Sequence, residues 1–298
     1  MSAEPAGPFR IATLALLSVI LLLSAPTVGA QEVGSETRDP GQTMDEDFAE
    51  SYARWISEVR YGSPLVDHLP AVPGIPTPKD VLGHHIGAPK TLTYYEDILR
   101  YYRALAEATP RVSVESIGES DEGRELVVVW VSSDENMAGL ERNRENLARI
   151  ADPRGLSEAE IQRILNTTKP SYHVIGGLHS GETGAPEMLM ELAYRVATET
   201  SPFVTGIREN VFVSITPVAD PDGRDRFVDW FYRGLEREAL LKAEALEKDS
   251  VAGEEPDSVA GEEPDSVAGE EEERPRSRRI SVPYWGKYVL HDNNRDIN

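Results

Sequence analysis

The chain has 298 residues, 52 acidic against 30 basic, a formal net charge of −22 and no cysteine. That length allows one large α/β domain with a substantial core. The missing thiols exclude a disulfide framework, a thiolate metal site and a cysteine nucleophile, and the acidic balance argues against nucleic acid, which needs a basic surface.

Residues 1–30 carry Arg10, an apolar stretch from Ile11 to Ala25, and Val28-Gly29-Ala30 before Gln31. Basic flank, short apolar run and small residues predict a secretory signal peptide. The run is shorter than the ~20 residues a spanning helix needs, so no stable membrane span is expected after cleavage. The protein is expected to be secreted or periplasmic. Residues 31–90 read as a polar and proline-rich N-terminal arm. Phe48 to Val59 is predicted helical. Pro64 to Pro89, with six prolines, reads as an extended arm over a surface and not as a core element. Its His68, His84 and His85 are given no metal role.

The main domain is expected from 91 to 298. Thr93 is the predicted N-cap of a helix from Tyr94 to Ala108, with Glu96 at the capping-box position and Ile98, Tyr101, Tyr102 and Leu105 on one face. Val112 to Ile117 and Leu126 to Ser132, separated by Gly118 to Gly123, predict an antiparallel hairpin. Leu140 to Ile150 and Ser157 to Leu165 read as helices, the second with Ser157 and Glu160 in capping-box spacing. A strand from Tyr172 to Leu178 and a helix from Pro186 to Ala197 follow. Val211 to Val218 is another strand, ending in a turn at Asp220-Pro-Asp-Gly223. Leu235 to Leu246 is helical.

Within an insert at 247–279, Asp249-Ser-Val-Ala-Gly-Glu-Glu-Pro256 recurs from Asp257 and again from Asp265. Residues 249–273 hold 11 Asp or Glu and no Lys or Arg, half of the net charge. So little apolar surface predicts a solvated insert without a core of its own.

The segment of greatest chemical interest is Leu178-His-Ser-Gly-Glu-Thr-Gly184. A strand end and a following helix would bring His179 and Glu182 to one point, and both side chains are good zinc ligands. His173, on the same strand, reads as a packing residue. Together with Thr216-Pro-Val-Ala-Asp-Pro-Asp-Gly223 and Asp292-Asn-Asn-Arg-Asp296, in that order, the segment resembles zinc metallocarboxypeptidases of the carboxypeptidase A type.

The resemblance implies an α/β fold, a mixed β-sheet flanked by helices in a carboxypeptidase-like α/β/α arrangement, C-terminally truncated. It implies zinc as cofactor, His179 and Glu182 as the first two ligands, and Asn294 and Arg295 as the pair receiving a substrate carboxylate. An arginine polarising the scissile carbonyl matches Arg233 best, with Arg224 and Arg226 as competitors and a surface ion pair as the plainer role. The family's second zinc His and its general-base Glu lie downstream of the Asn-Arg pair, and the sequence stops three residues after Arg295. His291 lies on the wrong side of that pair to serve. The expectation is therefore a secreted zinc carboxypeptidase acting on peptides or proteins with a free C-terminal carboxylate, present as an inactive N-terminal fragment. A zinc amidohydrolase or deacylase of the same superfamily, and a non-catalytic peptide-binding module, are the alternatives.

Overall fold

The computed structural model describes residues 37–252. The predicted signal peptide, most of the acidic repeat, His291, Asn294 and Arg295 lie outside the described residues.

The N-terminal arm is more than a surface strap. Helix α1 (Glu46–Trp55) starts at Asp45, whose carboxylate accepts the Phe48 N–H at 2.9 Å. It ends before the expected Val59, and a 3₁₀ turn (Val59–Tyr61) follows. Helix α2 (Pro78–Leu82) forms inside the proline-rich stretch, because Thr77 and Asp80 make a reciprocal capping box and Pro78 opens the helix. Leu69, inside the proline-rich stretch, is buried in the same core as the main domain, which corrects the expectation that Pro64 to Pro89 is no core element; Phe48 of α1 joins that core.

Helix α3 (Tyr95–Ala108) buries Tyr95, Ile98, Leu99, Tyr101, Tyr102 and Leu105. Its N-terminus departs from expectation. Thr93 does not cap it, because its N–H and hydroxyl both go to the Glu187 carboxylate at 2.7 and 2.8 Å. The first-turn N–H of Tyr95 is satisfied by Asp225 instead, at 2.9 Å. A longer-range acceptor has displaced the local one.

Strands β1 (Val112–Glu119) and β2 (Glu125–Val131) form the expected antiparallel hairpin, with a bulge between Ser116 and Gly118. Helices α4 (Asp134–Ala138), α5 (Leu140–Ala151) and α6 (Glu158–Thr167) follow, α6 with its expected Ser157–Glu160 capping box. Strand β3 (Ser171–Ile175), helices α7 (Gly184–Thr198) and α8 (Pro202–Asn210), strand β4 (Phe212–Thr216) and helix α9 (Pro221–Ala252) complete the order. Asp220-Pro-Asp-Gly223 is not a free turn. It opens α9, with the Asp220 carboxylate accepting the Gly223 N–H at 2.9 Å.

The sheet runs β1-β2-β4-β3, antiparallel except for the parallel β3/β4 pair. Period-two alternation sets its faces. Val127, Val129, Val131, Val213 and Ile215 join Leu189, Met190, Ala193 and Tyr194 of α7 and the apolar face of α3 in the core. On the opposite face Trp130 pairs with Ser214, and Arg144 of α5 lies over the Trp130 ring at 5.7 Å. The result is a mixed sheet with helices on both faces.

Candidate functional site

Two glycines set the position of the His179 loop. Gly176 donates its N–H to Thr216 O at 2.9 Å, and a Cβ there would stand 2.6 Å from Pro217 O and 2.7 Å from Leu189 Cδ1. No larger residue fits so close to backbone. Gly177 adopts φ +57°, which favours glycine, and its carbonyl accepts the Asp220 N–H at 3.1 Å. The carboxyl ends of β3 and β4 are thereby drawn together beneath the start of α7. That is where α/β sheets place their sites.

The loop then turns back on itself. The Glu182 N–H reaches His179 O at 3.0 Å, and the His179 Nδ1 and Glu182 Oε1 atoms are 2.8 Å apart. The two side chains converge. His179 is 20% exposed and Glu182 59%, so a ligand can reach both. Glu182 also stands just ahead of α7, whose N-terminal dipole favours a carboxylate there. One imidazole nitrogen and one carboxylate oxygen at this spacing suit a divalent ion of zinc's type. Among the described residues, no third His, Asp or Glu joins them in a three-donor group.

The three candidate arginines separate by environment. Arg224 is fully buried, with its guanidinium on Thr93 O at 2.9–3.1 Å and on the Glu187 carboxylate. It ties α9 to α3 and α7 and has no path to a substrate. Arg226 pairs with Glu122 on the β1–β2 turn. Arg233 is 69% exposed and stands 3.5 Å from Asp229 on the preceding turn of α9. His173 is not a packing residue. It is exposed and hydrogen-bonded through Nδ1 to Ser214 Oγ at 2.9 Å, on the face where its parallel register with β4 places it.

Two groups escaped the sequence reading. Asp220 stands between β4 and α9 and is tied to the loop by its N–H on Gly177 O at 3.1 Å. Its Oδ2 is buried and accepts no hydrogen bond among the described residues, and burial pushes its carboxyl above the ordinary range. The second group is Asp45, Asp47 and His85, with donor atoms all within 4.8 Å of one another, a set that could hold a metal ion. It includes a histidine given no metal role from sequence. His85 Nε2 lies 2.6 Å from Asp47 Oδ2, and the Lys79 ammonium sits on the same oxygen. That ammonium already neutralises the charge a cation would use, and Asp45 is engaged in capping α1. The signal in sequence was only Asp-x-Asp, forty residues from the histidine.

Residues 98–236 match the family described as zinc carboxypeptidase. No curated protein matches the chain. Similar solved structures include a candidate carboxypeptidase A from Shewanella denitrificans, at 23% identity over 44% of this chain and 27% of that one, with a TM-score of 0.31. Bovine thrombin-activatable fibrinolysis inhibitor, in complex with tick carboxypeptidase inhibitor, matches at 18% identity over 46% and 33%, TM-score 0.30. Carboxypeptidase A from Helicoverpa armigera matches at 21% over 49% and 31%, TM-score 0.31. The chain thus spans between 27% and 33% of the length of these structures.

Proposed function

From the premise that residues 98–236 belong to the zinc carboxypeptidase family, we propose that this chain carries the first part of an exported zinc-dependent carboxypeptidase-like site, with His179 and Glu182 as its metal ligands. The observation that carries the reading is the 2.8 Å approach of His179 Nδ1 to Glu182 Oε1 at the carboxyl end of the sheet. Bound there, zinc would acidify a water and polarise a carbonyl. The chain's own residues do the positioning. Gly176 and Gly177 fix the loop, the Glu182 N–H bond to His179 O turns it so that the two side chains face each other, and α7 supplies a helix N-terminus beneath the carboxylate.

Substrates are peptides or proteins ending in a free carboxylate, received by Asn294 and Arg295. Arg233, whose guanidinium is largely exposed, is our assignment for stabilising the developing oxyanion. Export rests on the Arg10 and Ile11–Ala25 pattern; no described helix is long and apolar enough to cross a membrane.

Two protein ligands fall short of the three that hydrolytic zinc sites use, so the described residues alone should hold zinc weakly. The test is a zinc titration of the purified chain by calorimetry, beside a chelator-controlled assay of C-terminal residue release from a peptide panel. Saturable binding should vanish in His179→Ala and in Glu182→Ala and persist in His85→Ala. Loss in His85→Ala with retention in His179→Ala would move the metal to the Asp45–Asp47–His85 group and overturn the assignment.

A further inference from the structure

A cavity of about 340 Å³ opens between α1, the loops around Tyr61 and Ile86, and α7, and its walls include neither His179 nor Glu182. This volume is within the range of small-molecule sites. Phe48, Tyr52, Trp55, Ile56 and Met188 make it apolar and aromatic, and the one carboxylate on its wall is Glu191. Arg195 reaches that carboxylate through Nε and a terminal nitrogen, but both contacts fall on Oε1, at 2.9 Å. Among the described residues, Oε2 accepts no hydrogen bond. Burial raises the Glu191 carboxyl above its ordinary range, although Arg195 and the His85 and His68 imidazoles, His85 also on the cavity wall, pull it down. A cation already uses one of these rings, since the Arg195 guanidinium lies 5.5 Å from the Phe48 ring centre.

We propose that this cavity binds a small primary organic ammonium, its apolar body among Tyr52, Trp55, Ile56 and Met188 and its charged head at Glu191 Oε2. The chemistry selects among ligands by sign. A carboxylate would meet Glu191 charge against charge. A neutral apolar molecule would seal Oε2 from water without giving it a donor, which is costly. An ammonium supplies the donor, and the negative faces of the surrounding rings attract it. The net charge of −22 further concentrates cations around the protein. This site needs no metal, so its fate is independent of the peptidase reading.

The full chain, freed of metal by chelator, is titrated with benzylammonium, benzyl alcohol and benzoate, followed by tryptophan fluorescence and calorimetry. Benzylammonium should bind at one site at least about tenfold more tightly than benzyl alcohol, with benzoate weakest. Glu191→Gln should abolish that preference. Because this variant also deprives Arg195 of its partner, Met188→Arg is made beside it. Met188 is 47% exposed, so the fold tolerates the change, and the longer cationic side chain occupies the ammonium's place. Benzylammonium affinity should fall at least about tenfold there. Equal affinity for charged and neutral probes, no binding at millimolar concentration, or unchanged binding in Met188→Arg would each overturn the proposal. So would a cation preference that survives in Glu191→Gln.

Discussion

Glu182 and Glu187 are near neighbours in sequence, and each stands beside a basic or imidazole side chain, yet their surroundings assign them different work. Glu187 is buried and fully engaged. It accepts the Thr93 N–H and hydroxyl and the Arg224 guanidinium, joining the starts of α3, α7 and α9. Glu182 is exposed on the loop that Gly176 and Gly177 set, with its carboxylate against the His179 imidazole and the His179 N–H. A buried charge must be matched within the fold, because desolvation is otherwise too costly. An exposed one stays in contact with solvent and is not forced to be matched inside the fold. Residue type alone does not separate the two cases; burial does.

The sharpest way to break this contrast is to remove the partner at the buried junction. Arg224→Ala would leave Glu187 buried without its cation, a change expected to cost about 3–5 kcal/mol. In a domain of this size that lowers Tm by roughly 10 °C or more. Thermal and urea unfolding measure it, and a loss under 1 kcal/mol would mean that the junction is not the matched charge described above. Next in size is Asp225→Ala. It removes the acceptor for the Tyr95 N–H and one bond to Arg124 at 2.8 Å, so the loss should resemble that of a helix cap, about 1–2 kcal/mol.

How much of this was legible in the sequence follows the same division. The hairpin, the amphipathic face of α3, the capping box of α6 and the glycines before His179 were readable, because each is set by residues within one turn or one strand of each other. Thr93 misled because its capping role is lost to Glu187, which is distant in sequence. Asp220-Pro-Asp-Gly223 read as a turn because Asp-Pro-Asp-Gly is equally a helix start, and only the 32-residue α9 decides between them. The convergence of His179 with Glu182 was readable from spacing. The burial of Arg224 was not, since nothing local distinguishes it from Arg226 or Arg233. Nor was the approach of His85 to Asp47, which depends on how the proline-rich arm folds back on α1.

A third prediction concerns pH. Burial raises the Glu191 carboxyl in the folded state above its unfolded value. Between those two values the folded protein binds more protons than the unfolded chain, so this group makes stability fall as pH rises. Glu199 works the other way. Its burial tends to raise the carboxyl, but the nearby His68 imidazole, 3.7 Å away, and a hydrogen bond from Ser201 Oγ at 2.7 Å outweigh that and hold it below the ordinary range. Its contribution is present above the unfolded value and is lost as pH falls through the folded one. Unfolding midpoints measured from pH 3 to pH 8 should therefore show Glu191→Gln declining less than the parent above about pH 4.5. A parallel offset across the whole range would mean that Glu191 stabilises by packing alone.

The smallest expected effect on folding is the most informative about the exposed loop. His179→Ala truncates a half-buried side chain outside the hydrophobic core, and the loss should stay below about 1 kcal/mol. The Glu182 carboxylate it leaves behind is solvated, so no buried charge is stranded, in contrast to Glu187 when Arg224 is removed. Tm should stay within about 4 °C of the parent in the absence of metal. Adding zinc should raise the parent's Tm through mass action, and this increment should be absent in the variant. The paired measurement separates two accounts of the loop. If His179→Ala lowers Tm without metal as Arg224→Ala does, the histidine and glutamate form a structural clasp and the comparison fails. If only the zinc-dependent increment is lost, the fold at this loop is carried by Gly176 and Gly177, and the two side chains are held there for the metal.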